Sequence, residues 1–176
     1  MAKAGDRFEM IDGSAYVVKV PSAETGGEYV EMEFELPAGC LPPPPHIHES
    51  QIESYEVLEG SLDVVVEGEW TTLGPGETAE VPLGAVHTFR NSSGRLARVR
   101  NRHSPALRFE EYIERVHDSI DEAGITSKRD PRALLMISMV MFDYPETLAP
   151  ARRRERIPMR LMASLGRLLR LPGSGR

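Results

Sequence analysis

The sequence predicts an all-β domain followed by a helical C-terminal extension, and three observations lead there. Apolar and polar residues alternate in short runs from Asp6 to Phe109, glycine-centred turn signals separate the runs, and beyond about Val116 the apolar spacing becomes helical. Period-two alternation marks a strand with one buried face, and many such strands at regular spacing describe a sandwich or a barrel closed on itself. With 176 residues, the chain has room for one domain of about 100 to 150 residues and an appendage. The expected division is a β-barrel over residues 1–116 and a helical extension over 117–176.

Arg7–Ile11 and Ala15–Val20 open the strand series. Tyr29–Leu36 is the clearest member, because Val30, Met32, Phe34 and Leu36 alternate with Glu31, Glu33 and Glu35 and so present one dry and one wet face. Glu53–Leu58, Leu62–Val66, Trp70–Leu73, Thr78–Val81, His87–Asn91, Leu96–Asn101 and Leu107–Tyr112 follow. Glu59-Gly60-Ser61 and Glu67-Gly68-Glu69 are read as tight turns, since glycine tolerates the backbone angles that hairpin loops demand.

In the extension, Asp130-Pro131 predicts a helix start: aspartate can cap free N–H groups and proline is tolerated in the first turn. The apolar run Ala133–Phe142 continues that helix, and Pro145 and Pro150 interrupt the chain beyond it. A last helix is expected over Ile157–Leu171. It sets Leu161, Leu165, Leu168 and Leu169 on one stripe, with Arg160, Arg167 and Arg170 around it. The expected role of this stripe is packing on the barrel or on a second subunit, with the arginines meeting the acidic body. The alternative is attachment to an anionic membrane surface.

The net charge of −6 hides an asymmetry: residues 1–120 carry 10 basic and 21 acidic side chains, and residues 121–176 carry 11 and 6. An acidic body is a poor binder of phosphate backbones, so nucleic acid is not an expected partner. Ala133–Phe142 is about half of the roughly 20 residues that a membrane-spanning helix needs, so no integral membrane segment is expected. Cys40 is the single cysteine and cannot form an internal disulfide, and Met1–Met10 has no apolar secretion core. The expected setting is therefore reducing and cytoplasmic.

His46 and His48 are two apart, so in an extended strand both imidazoles leave the same face and can reach one ion. Glu53 follows His48 by an odd step, and it joins them only if Glu49-Ser50-Gln51-Ile52 contains a turn or bulge. His87 comes from a separate strand. Two or three imidazoles with one carboxylate suit a divalent transition ion (iron, manganese, zinc, nickel or copper) and leave positions for substrate. Taken singly, a histidine on a strand is usually a surface or hydrogen-bonded residue and a glutamate a solvated one. Tyr55 and Val57 share the parity of Glu53, and Phe89 that of His87. With Met32 and Phe34 they are candidates for a substrate pocket, or simply for barrel filling. His103 and His117 are expected at the surface.

The frame around these residues resembles a known family. Gly39-Cys-Leu-Pro-Pro-Pro-Pro-His46-Ile-His48-Glu-Ser-Gln-Ile-Glu53 and the run on to Gly60 look like the first cupin motif, G-x5-H-x-H-x3,4-E-x6-G, with Gly39 one residue too far upstream. Gly76-Glu-Thr-Ala-Glu-Val-Pro82-Leu-Gly84-Ala-Val-His87-Thr-Phe-Arg-Asn91 matches the second, G-x5-P-x-G-x2-H-x3-N, at each defined position. The prolines Pro42–Pro45 are similar to those of quercetin-dioxygenase-like small cupins. The resemblance implies a double-stranded β-helix, the jelly-roll barrel, with His46, His48, Glu53 and His87 as ligands of one divalent metal ion. Gly60, Gly76, Pro82, Gly84 and Asn91 are then architectural.

Cupins serve many functions, so the fold does not settle this one. The leading expectation is a metal-dependent oxidoreductase of dioxygenase type acting on a small organic molecule, with Glu53 available as a general base. The alternatives are a cupin isomerase or lyase, and a non-catalytic small-ligand-binding or regulatory cupin. Small cupins often pair through their sheets, so a homodimer is expected.

Overall fold

The computed structural model describes residues 2–127 and 129–173; Met1, Lys128 and residues 174–176, and with them the outer ends of the two expected segments, lie outside the described residues. The strands follow the alternation of the sequence: β1 (Arg7–Glu9), β2 (Ala15–Val20), β3 (Val30–Leu36), β4 (His46–Ile47), β5 (Ile52–Glu59), β6 (Leu62–Val66), β7 (Glu69–Leu73), β8 (Thr78–Val81), β9 (His87–Arg90), β10 (Ala97–Ser104) and β11 (Ala149–Pro150). They form two sheets, one ordered β1-β2-β3-β10-β5-β8 and the other β11-β4-β9-β6-β7. Adjacent strands in both are antiparallel. The fold is the mostly β barrel with a helical C-terminal part that the sequence predicts.

Val18, Met32, Leu36, Val57, Leu62, Val64, Val81 and Val99 are almost wholly buried and form the core. On the other face of the first sheet, charges pair across strands. Glu33 Oε1 accepts from Arg98 at 2.6 Å, Glu31 Oε2 from Arg102 at 2.7 Å and Glu35 Oε2 from Arg7 at 2.9 Å, while Arg100 bonds Glu56. The wet face of β3 is thus a ladder of cross-strand ion pairs.

Three helices follow: α1 (Phe109–Glu122), α2 (Pro131–Asp143) and α3 (Arg153–Leu168). Asp130 accepts from Arg132 N at 2.9 Å and caps α2, as its sequence predicts. The expected strand Leu107–Tyr112 is corrected to the start of α1. Phe109, Tyr112, Ile113, Val116 and Ile120 are buried, a spacing of three and four that suits a helix rather than a strand. Glu110 then fixes the helix to the barrel, its two oxygens accepting from Ser22 N at 2.9 Å and Ser22 Oγ at 2.7 Å. Gly166 of α3 lies against Met139 of α2, with no room for a Cβ.

The last helix differs from expectation in both extent and packing. It starts at Arg153, and Ala163 and Gly166 are its buried residues. Ile157, Leu161, Leu165, Leu168 and Leu169 are instead exposed, by 46–78%, so the leucine stripe does not pack on the barrel. One α3 arginine reaches the barrel's acidic groups: Arg156 bonds Glu49 Oε1 at 2.7 Å. Arg167 pairs with Asp143 of α2.

Candidate metal centre

The run Pro42–Pro45, its φ angles fixed by the proline rings, leads through a bend at Pro45 into β4. There His46 pairs directly with His87 of β9, and their rings lie 4.1 Å apart. A bend at Glu49 and Ser50 carries the chain from β4 to β5 in the other sheet, bringing Glu53 back to the histidines. Three imidazoles from one edge of the barrel and a carboxylate from the facing sheet therefore converge. All four are buried, and their ligand atoms lie within 4.8 Å of one another.

Backbone carbonyls set the imidazole tautomers. Nδ1–H of His46 donates to Pro44 O at 2.9 Å, that of His48 to Thr147 O at 2.5 Å, and that of His87 to Ala85 O at 3.0 Å. With the proton on Nδ1, each Nε2 carries a free lone pair, the arrangement that metal-ligating histidines adopt. Glu53 Oε2 lies 2.8 Å from His87 Nε2 and 3.4 Å from His48 Nε2. Yet among the described residues neither Oε2 nor His87 Nε2 has a hydrogen-bond partner. Two buried acceptors that close repel unless a proton or a metal cation stands between them. Three nitrogens and one oxygen form a donor set that fits a divalent transition ion.

The electrostatics favour the ligating forms of His46 and Glu53. Burial, reinforced by His87 and His48, lowers the His46 pKa to about 3, which keeps that ring neutral. Burial alone would raise the Glu53 carboxyl, but the surrounding His103, His48 and His87 outweigh it and hold the group well below its ordinary range. Burial likewise opposes a charge on His87, and Glu53 overcomes it, so that imidazole is raised.

Two further residues of β10 complete the cluster, and neither is among the expected site residues. Asn101 donates from Nδ2 to Glu53 Oε1 at 2.7 Å. His103 is fully buried, which corrects the surface position expected for it. Its Nε2 lies 3.3 Å from His48 Nε2 and 3.5 Å from Glu53 Oε1, and its ring stacks on Phe109 at 3.5 Å. The signal was present in the chain: Ala97, Val99, Asn101 and His103 alternate with Arg98, Arg100 and Arg102, so two polar residues continue an inward row. His117 is partly exposed and donates to Glu9 O.

Above the cluster lies a cavity of about 470 Å³ that His46, His48 and Glu53 help to line. Phe34 and Phe89 are part of its wall, while Met32, Tyr55 and Val57 are buried in the core outside the lining. The proline run contributes Pro42, Pro43 and Pro44. The helical part contributes Phe109, Tyr112, Ile113, Val116 and Ile120 of α1, Ile137 of α2 and Leu148. Among the described residues, Asp12 and Glu53 are the carboxylates of the lining, and it contains no lysine or arginine. Asp12 is already engaged, accepting from Ser14 N at 3.0 Å and Leu41 N at 2.8 Å.

Residues 32–99, the stretch holding all four donors, match the family described as Cupin domain. This chain carries a cupin domain. Among curated proteins the cupin is 28% identical over 89 residues to quercetin 2,3-dioxygenase of Bacillus subtilis (strain 168), covering 51% of this chain and 26% of that protein. It is 41% identical over 49 residues to an uncharacterized protein of Aquifex aeolicus (strain VF5), covering 28% of this chain and 40% of that one. The chain thus spans less than half the length of these curated relatives. Among solved structures it is similar in fold to KdgF from Halomonas sp., with a TM-score of 0.51 and 21% identity over 57% of this chain and 86% of that one. The remaining motif positions of the cupin have structural work. A Cβ on Gly60, at φ +77°, would lie 2.6 Å from Leu96 O. Asn91 donates from Nδ2 to Leu36 O at 2.7 Å and to Arg95 O at 2.6 Å, tying β3 to the turn before β10.

Proposed function

We propose that this cupin holds one divalent transition-metal ion through His46, His48, Glu53 and His87, and is an oxidoreductase of dioxygenase type acting on a small organic molecule. The observation that carries the reading is the unpartnered Glu53 Oε2 and His87 Nε2 pair beside an apolar cavity. When bound, such an ion supplies Lewis acidity and redox capacity. The chain's own residues do the rest. The carbonyls of Pro44, Thr147 and Ala85 orient the imidazoles, and Asn101 orients the carboxylate. Phe34, Phe89 and Ile113 keep water from the reacting molecule. Glu53, on leaving the ion, is the carboxylate placed to accept a proton from a hydroxyl of the substrate.

The cavity narrows the substrate. A wall that is largely apolar and without lysine or arginine among its described residues offers no side-chain clamp for a carboxylate or phosphate, so an anion would have the ion alone to hold it. We therefore assign the site to uncharged, largely apolar molecules with one hydroxylated or carbonyl-bearing end. In this reading, residues 1–116 supply the donors and residues 117–176 help close the cavity over them.

Elemental analysis of untagged protein, beside His48→Ala and Glu53→Ala, tests the metal assignment. Near-stoichiometric metal in the wild type that is lost from both variants is the expected result. Oxygen uptake with hydroxylated aromatic compounds then tests turnover, against small dicarboxylates as the class that should fail. Saturable binding with no oxygen consumption would replace the oxidoreductase by a ligand-binding cupin. A wild type that is metal-free and refuses reconstitution would remove the metal site itself.

A further inference from the structure

Four exposed apolar side chains line up along α3. Ile157, Leu161, Leu165 and Leu168 succeed one another at steps of four, four and three, on one face of the helix. Leu161 is 67% exposed and Leu168 is 78% exposed. The helix meets α2 with its opposite side, through Ala163 and Gly166. An amphipathic helix in a globular protein turns its apolar face inward, and α3 turns it out.

The charges on α3 say what covers that face. Arg153, Arg154 and Arg160 are exposed, Arg154 within the stripe and the other two along one edge of it. The helix has one acidic residue, Glu155, and its carboxylate is turned to the helix start, where it accepts from Arg152 N. A second copy of α3 is a poor occupant. Parallel pairing sets Arg154 beside Arg154, and antiparallel pairing sets Arg153 and Arg154 of one helix near Arg167 of the other, whose charge Asp143 of its own chain meets. Neither places an acidic residue of α3 against Arg153 and Arg154. A bilayer with anionic headgroups satisfies both halves of the surface, taking the leucines among its acyl chains and the arginines among its phosphates.

We propose that α3 is an interfacial membrane-docking helix, seating the cupin on anionic lipid through Ile157, Leu161, Leu165 and Leu168 with Arg153, Arg154 and Arg160 at the headgroups. The helix has 16 residues, and no helix among the described residues is long and apolar enough to cross a membrane. Attachment is peripheral and reversible by salt, because part of it is electrostatic.

The test is co-sedimentation of the full-length protein with vesicles of equal parts phosphatidylglycerol and phosphatidylcholine, and with phosphatidylcholine alone. Two double variants are compared, Leu161→Ser with Leu165→Ser and Arg153→Glu with Arg154→Glu. All four positions are exposed, so circular dichroism and oligomeric state serve as controls on folding. The expected result is binding to the anionic vesicles that falls by more than about tenfold in each variant and in high salt. Wild type left in the supernatant at low salt overturns the proposal. So does a wild-type dimer that the leucine variant converts to monomer without any vesicle binding, since a second copy then covers the stripe.

Discussion

Asn101 holds one oxygen of Glu53 and leaves the other to the histidines. Its Nδ2 donates to Oε1 at 2.7 Å, while Oε2 lies 2.8 Å from His87 Nε2. The carboxylate therefore presents one oxygen to His87 and His48, and the strand that enforces this lies outside the first motif.

Asn101→Leu should fold, because the site is buried and the volumes are close, but it releases Oε1. Metal affinity is expected to fall by about tenfold to a hundredfold, the usual cost of losing a bond that orients a ligand. A chelator competition titration measures it. Unchanged affinity would mean that the barrel alone orients Glu53.

An ion between Glu53 Oε2 and His87 Nε2 should also stabilise the fold. Reloading stripped protein at about a thousandfold excess over its dissociation constant should add about 4 kcal/mol. Thermal melts in rising concentrations of a single metal would show the increment. In His48→Ala it should shrink sharply; an equal gain in that variant would place the ion elsewhere.

Gly60 and Gly76 separate steric from backbone cost. Both have positive φ, +77° and +82°, but a Cβ meets Leu96 O at 2.6 Å in the first and nothing within 4 Å in the second. Gly76→Ala should cost about 1 kcal/mol, the left-handed penalty alone. Gly60→Ala should cost more than about 2 kcal/mol, or prevent folding, because the clash adds to that penalty. Urea midpoints of the two variants decide it, and equal midpoints would refute the clash.

Asp63 fastens the second sheet, accepting from Ser92 Oγ at 2.5 Å, Thr72 Oγ1 at 2.7 Å and Arg90 Nε at 3.1 Å. Those bonds lower its pKa. A lowered folded value means that its contribution is complete above the ordinary aspartate range near pH 4 and is lost as pH falls through the folded value. Asp63→Asn should therefore be less stable than wild type by about 1 to 2 kcal/mol at neutral pH. The gap should narrow toward about pH 2. A gap that stays constant across that range would assign the loss to shape instead of charge.

Much of the barrel was legible because burial leaves a period: Val30, Met32, Phe34 and Leu36 are buried at every second position. His46, His48, Glu53 and His87 were brought together in advance by the resemblance of their two stretches to the cupin motifs, since spacing alone turned Glu53 away from the histidines. Leu107–Tyr112 misled because a short apolar run has no length in which to distinguish periods of two and four. His103 was missed for a different reason. A polar residue at an inward position looks like a surface residue unless the whole row, Ala97 to His103, is followed. Of the cavity wall only the barrel side, Phe34 and Phe89, was read, since Ile113, Val116 and Ile137 reach it through helix packing that no local spacing encodes.

The facing origins of the donors make the centre a gauge of the gap between layers. His46 and His87 ride on one sheet and Glu53 on the other, so with an ion held as proposed the separation of the sheets would set a coordination distance. Any substitution that swells or thins the filling between them, at Val57 or Val64 for example, retunes the grip on an ion without touching a ligand.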